Sequence, residues 1–347
     1  MVNTTMNSTI ISIVDNEAQL IVLVNFLNKI ISQIAFALII IMGNIGSILT
    51  CIVFSQPTYR KSPCAMYFFA SSFSQLFTFN FACLTRMLQY AYGIQIINTN
   101  LWFCRIRFYL FYILVAIPRY NIIMATIDRY FASSRDALRR QWSSPKLASR
   151  FIIVNVIFWC LIYIQVIIFY NINTGACQYQ TGVYSIFFSI YISIDSGILP
   201  LFLMFIFGLL TVRNIHQTKK RIEPATGNSG KITKKDIQFH KMLANQICLY
   251  LILNVPNPCY LVYRTITLYT IKSPFRLATE TFVSNMTYVL IYFGFSLTFV
   301  NFIISSQIFR KEFIQIIRTR IFRRAPLPLT TIGGTTLRIP RPNDIQD

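Results

Sequence analysis

Hydrophobic residues in this chain come in long blocks. Apolar runs occupy about 30–54, 64–91, 101–127, 151–170, 183–212, 242–265 and 282–308, with short polar connections between them. Each run has the roughly 20 residues that a helix needs to cross the hydrocarbon of a bilayer. No internal repeat and no second domain is visible. The pattern predicts an all-α membrane protein, a seven-transmembrane helix bundle over 29–308, preceded by a polar extracellular tail over 1–28. After the last run, Phe309, Phe313, Ile316 and Ile317 share one helical face, which predicts a short amphipathic surface helix over 309–324. Residues 325–347 are rich in Pro, Thr, Gly and Arg and are expected to form a disordered cytoplasmic tail.

Composition supports the same class. The chain is 54% hydrophobic and 12% charged, where a soluble domain carries about 25% charged residues. The net charge of +21 raises the question of nucleic acid, but its distribution answers it: 24 of the 32 Lys and Arg fall in Arg60–Lys61, Arg129–Arg150, Arg213–Lys241 and Arg310–Arg341. These are alternate connections and the tail, as the positive-inside rule requires. The expected partner of this basic face is anionic lipid, not nucleic acid. The N-terminus is then outside and the C-terminus cytoplasmic, in a multi-pass plasma-membrane protein. No charged n-region precedes the first run, so no cleaved signal peptide is expected. Two sequons, at Asn3 and Asn7, predict glycosylation of the outer tail; a third, at Asn285, lies in an apolar run and is expected to go unused.

Catalysis is not expected. The two histidines, His216 and His240, are not at metal-ligand spacing, and no zinc-protease, nucleophile-elbow or phosphate-loop motif is present. No metal and no cofactor is expected. Of the eight cysteines, Cys51, Cys83, Cys160 and Cys248 sit within apolar runs as small hydrophobes. Cys104, at the very start of its run, and Cys177, between two runs, lie on the side without the basic clusters.

Asp128-Arg129-Tyr130 closes the apolar segment that starts at Leu101, and Cys104 lies 25 residues before Arg129. At about 1.5 Å per residue that separation is ~38 Å, a full bilayer crossing. Seven spans, the outer cysteines and this triplet together resemble the rhodopsin-like G protein-coupled receptors, from about Gly43 to Phe313. Weaker matches are Gly43-Asn44, Trp159, Pro200, Pro256 and Phe309-Arg310 with Phe313. The resemblance implies a Cys104–Cys177 disulfide, against the alternative of two free thiols. It implies helix kinks at Pro200 and Pro256, and a switch for G protein coupling at Asp128, Arg129 and Tyr130. It also implies that Asp236 faces Arg129 across the inner mouth; the alternative is a solvated acid among Lys231, Lys234 and Lys235. The chain departs from the family pattern at Gln75, at Pro118, at Gly208, in Leu253-Asn254-Val255-Pro256 and from Thr298 to Phe302. It resembles a divergent member.

On the same alignment Phe111 stands where amine receptors bind ammonium and Tyr292 where opsins carry the retinal lysine, which disfavours both ligand classes. The outer third supplies a candidate ligand pocket of Arg86, Gln89, Arg107, Phe108, Phe111, Tyr112, Tyr260, Tyr263, Arg264, Tyr288 and Tyr292. Aromatics with cations suit a peptide ligand, although each residue is equally able to serve as an interfacial aromatic or a snorkelling base. Deeper, Arg119 needs a partner in the span, and Asp195 is the acid at comparable depth, so an intramembrane ion pair is expected; the alternative is that Arg119 snorkels or bonds to carbonyls. The expected function is a receptor that binds an extracellular ligand, a neuropeptide first, and activates a heterotrimeric G protein. The alternatives are a chemosensory receptor for a small external molecule and, in another class, a transporter or channel.

Overall fold

The computed structural model describes residues 2–134, 136–173, 175–222, 234–267 and 269–321, excluding the side chains of 2–15, 173, 215–222, 234–236 and 320–321. The described chain is mostly helical. Long helices cover Val2–Phe54, Pro63–Phe77, Leu101–Ala132, Pro145–Ile162, Leu199–Ile222, Lys234–Asn254 and Pro274–Ser296, with shorter helices extending several of them. Among the described residues, four helical stretches are long and apolar enough to cross a membrane: Asn16–Phe54, Leu101–Ala132, Pro145–Phe169 and Val183–Asn214. A fifth arises if Pro274–Ser296 and Thr298–Ser305, bent by 42° at their junction, count as one. Large apolar side chains such as Ile34, Leu38, Ile41 and Ile45 point away from the packed interior.

Local sequence sets the helix ends. Asn100, Ser144, Ser273 and Ser306 each accept a hydrogen bond from a backbone N–H in the first turn of the following helix, satisfying donors that the helix cannot. Two of these caps are followed by proline, Pro145 and Pro274, whose fixed φ suits the first helical position. Gly93, with φ +68°, ends Leu84–Tyr92 in the left-handed region.

The Leu101–Ala132 helix is the axis of the fold and the most enclosed of the membrane-length helices. It packs against Pro63–Phe77, Leu199–Ile222 and Pro145–Ile162, while Val2–Phe54 packs against Pro274–Ser296 and Pro63–Phe77. Prolines inside helices are repaired from neighbours. Pro118 has no N–H for the Leu114 carbonyl, and the Thr78 hydroxyl donates to that carbonyl at 2.6 Å. Pro200 likewise has no N–H for the Ser196 carbonyl, in the middle of the π-helical turn Ile194–Ile198, and the Tyr250 hydroxyl donates to it at 3.0 Å. At Pro256 the helix breaks: Lys234–Asn254 ends, and a new helix runs over Pro256–Ile266. Gly43 is required by close approach, since a Cβ there would meet the Phe79 ring at 2.5 Å. Next to it, Asn44 and Asn80 exchange side-chain hydrogen bonds.

Three expectations change in detail. The first helix begins at Val2, well ahead of the apolar run expected from about residue 30, so the polar stretch is continuous with it. The amphipathic helix begins at Gln307 and runs to Ile316, followed by a π-helical turn over Ile317–Ile321. Phe309 is fully buried against Phe54 and Phe302, so this helix is docked on the bundle as well as amphipathic. Residues 322–324 and the tail 325–347 lie outside the described residues, as do the side chains of Asn3 and Asn7.

A two-stranded antiparallel hairpin, Tyr170–Asn173 with Ala176–Tyr179, covers one end of the bundle. A disulfide between Cys104 and Cys177 ties it to the first turn of the central helix across 73 residues of chain. Replacing either cysteine by serine is expected to cost about 2–4 kcal/mol. The double variant should be no worse than either single one. Non-reducing peptide mapping and thermal unfolding of the full chain check this.

Candidate functional site

The central helix carries chemistry at three depths. At its C-terminal end Arg129 is 3% exposed and Asp128 is 6% exposed. Arg129 Nη2 and Nε both donate to Asp128 Oδ2, at 2.7 and 3.1 Å. The guanidinium also lies 5.5 Å from the centre of the Phe239 ring. The other carboxylate oxygen of Asp128 accepts from the Ser143 hydroxyl at 2.7 Å. Ser143 was not anticipated; it sits in the connection after the central helix, 15 residues on, and ties that connection to the triplet. Tyr130 packs edge-on against Phe207 and its hydroxyl accepts from Arg139 at 3.4 Å. Asp236 lies on the Lys234–Asn254 helix, but its side chain is outside the described residues.

At mid-depth the expected Arg119–Asp195 ion pair is not what the structure shows. The Asp195 carboxylate is held by two tyrosines: Tyr120 donates to Oδ1 at 2.8 Å and Tyr163 to Oδ2 at 2.5 Å. Arg119 instead points its Nη1 at the Asp195 backbone carbonyl, 3.5 Å away, and its Nε has no hydrogen-bond partner. The two groups are neighbours, yet the acid's lone pairs are already directed at phenolic hydroxyls. The carbonyl alternative weighed for Arg119 is the observed one. Tyr163 follows Trp159 by one helical turn, and the Trp159 ring packs tilted against both Tyr120 and Tyr163, its centre 4.4 Å from that of Tyr120, so it supports the two tyrosines that hold the acid. Periodicity alone does not reveal a tyrosine as a carboxylate ligand, which is why neither was anticipated.

At the N-terminal end of the central helix a cavity of about 620 Å³ opens beneath the hairpin. Of the predicted pocket residues, Arg86, Gln89, Arg107, Phe108, Tyr112, Tyr260, Arg264 and Tyr288 line it. Two others, Phe111 and Tyr292, lie deeper, on a void of about 20 Å³ that they share with Arg119 and Asp195. Tyr263 lines neither. It is 39% exposed, and its hydroxyl donates to Glu280 at 2.8 Å while accepting from Arg276 at 2.9 Å. Glu280 also pairs with Lys272.

Beside Gln178, the hairpin contributes walls that the helical pattern did not indicate: Tyr170 and Tyr179. Tyr170 and Tyr112 join their hydroxyls at 2.8 Å. Burial, and then the neighbouring Tyr112, push the Tyr170 hydroxyl up from its ordinary value, so it stays neutral and available as donor or acceptor. Arg86 donates from Nε to Asn285 at 3.0 Å and lies 3.8 Å from the Tyr288 ring centre. Asn285 in turn donates to Asn28 and Ser32, fastening three helices together. This buries the third sequon at a junction between helices.

Among the described residues no group of three or more His, Cys, Asp or Glu is arranged to hold a metal ion. No protein-family model matches the chain, and no curated protein matches it significantly.

The tyrosine clamp predicts that exchanging the charges at Arg119 and Asp195 will not rescue stability lost in the single neutralisations. Tyr163→Phe and Tyr120→Phe should each lower stability by about 1.5–3 kcal/mol, the value of a hydrogen bond to a charged group. A double-mutant cycle of Tyr163→Phe with Asp195→Asn, read by thermal unfolding, should show coupling between the two sites.

Proposed function

We propose that this chain is a seven-span plasma-membrane receptor of the rhodopsin-like type, oriented with its N-terminus outside, that binds an extracellular ligand and activates a heterotrimeric G protein. The observation that carries the proposal is the construction of one helix. Leu101–Ala132 is tied by Cys104 to the loop over the outer cavity, and closes at its other end with a buried Arg129–Asp128 pair. The disulfide at one end of this helix and the triplet at the other support the resemblance. In this reading Pro274–Ser296 and Thr298–Ser305 form one bent span, the fifth of membrane length, and Pro63–Tyr92 and Lys234–Ile266 bring the span count to seven.

The mechanism follows from energetics. A buried ion pair is destabilised by about 3–5 kcal/mol when one partner alone is removed, so Asp128 biases Arg129 toward an enclosed position. The Ser143 hydroxyl adds to that bias by anchoring the acid. A ligand that binds the outer cavity better in one arrangement of the helices shifts the population of that arrangement. Release of Arg129 would then open a basic inner face to the G protein. The cavity has the size of a ligand site, and its tyrosines and arginines favour a neuropeptide over an amine or retinal. A receptor for a small external molecule is the second reading, supported by the same cavity. A transporter or channel would need a relay of ionisable groups across the bundle; Asp195, clamped by two tyrosines, is a poor relay member.

Nucleotide exchange on purified G proteins, driven by a peptide library, tests the proposal. Arg129→Ala should abolish stimulated exchange at undiminished surface expression. Asp128→Asn and, to a smaller degree, Ser143→Ala should raise exchange without ligand. Normal signalling by Arg129→Ala would overturn the mechanism.

A further inference from the structure

The outer cavity holds more positive charge than the protein neutralises. Arg86, Arg107, Arg264 and Lys272 line it, with Glu280 as the acid on its wall. Glu280 is taken by Lys272 and Arg276. Among the described residues, no carboxylate pairs with Arg86 or Arg107. Arg86 is held by the neutral Asn285 side chain and by the faces of Tyr90 and Tyr288. Arg107 donates from Nε to Thr85, the residue next to Arg86, at 3.3 Å. Both arginines line the same cavity.

Arg107 is 2% exposed, and its Nη2 is buried with no hydrogen-bond partner. An unsatisfied donor on a charged group is among the most costly states a buried side chain adopts. Arginine does not escape by losing its proton. The rings of Phe108 and Phe111, 4.9 and 5.8 Å from its carbon centre, offer only their faces. What this donor lacks is an acceptor, and the cavity that Arg107 lines gives one access.

We propose that Arg86 and Arg107 form an anion subsite that receives a carboxylate of the ligand, with Tyr90, Phe108 and Tyr288 enclosing the apolar or aromatic body attached to it. Planar guanidinium groups recognise a carboxylate through paired hydrogen bonds. The aromatic walls select an organic acid over a bare inorganic ion. The inference rests on the cavity being the ligand site; it adds the chemical class of the ligand.

Thermal unfolding of the full chain in lipid nanodiscs, without G protein, tests it. The probes are 3-phenylpropionate against 3-phenylpropionamide, an N-acetylated aromatic tripeptide with a free C-terminus against its C-terminal amide, and inorganic phosphate. At least one acid should stabilise the protein at a concentration roughly tenfold or more below that of its matched amide, as the loss of a charge-assisted bond requires. Which acid does so separates a small organic acid from a peptide C-terminus. Arg107→Gln and Arg86→Gln should each abolish the preference for acid; if one variant does not fold, the other carries the test. Equal effects of acids and amides, no effect of any acid, phosphate matching the acids, or an acid preference kept in the folded variants would each overturn the proposal. An acid preference in a chain that fails to drive nucleotide exchange would leave the subsite standing and overturn only the receptor reading.

Discussion

Burial of positive charge is the constraint on which this fold turns. The Leu101–Ala132 helix carries three arginines that are 2–3% exposed: Arg107, Arg119 and Arg129. A guanidinium removed from water must find compensation, because it does not deprotonate. The helix finds a different answer at each depth. Arg129 has the adjacent carboxylate of Asp128. Arg119 has a backbone carbonyl and a setting of tyrosines. Arg107 has a threonine hydroxyl and a cavity.

The answers also divide the labour. A pair formed within one turn, as at Asp128-Arg129, is available in any arrangement of the other helices, so it suits a group that must be held and released. The Asp195 clamp draws on Tyr120 and Tyr163 from two other helical segments, and therefore fastens helices to one another. Prolines add a second kind of junction. The carbonyls left open by Pro118 and Pro200 are answered by Thr78 and Tyr250 from facing helices. Defects in one helix thus become contacts between two.

Much of this was legible in the sequence. Apolar run length marked most of the helices, because the hydropathy of a run and the reach of 1.5 Å per residue are local properties. Caps such as Ser144-Pro145 and Ser273-Pro274 act within a few residues and mark helix starts in the same way. The 25-residue interval from Cys104 to Arg129 placed that cysteine and the triplet at opposite ends of one helix, and the family resemblance supplied the pairing with Cys177.

What the tertiary structure alone decided is which polar group meets which. Depth along a helix put Arg119 and Asp195 side by side, but rotamer and azimuth gave the carboxylate to tyrosines and the arginine to a carbonyl. Helical position put Tyr263 among the pocket residues, yet Glu280 draws it to the rim, away from the cavity. The hairpin residues Tyr170 and Tyr179 joined the cavity only because a long loop folds back over the bundle. Sequence alone determines how deep a side chain lies, since depth accumulates along the chain. Its partners depend on the rotation of independent helices about their axes, and packing sets that rotation.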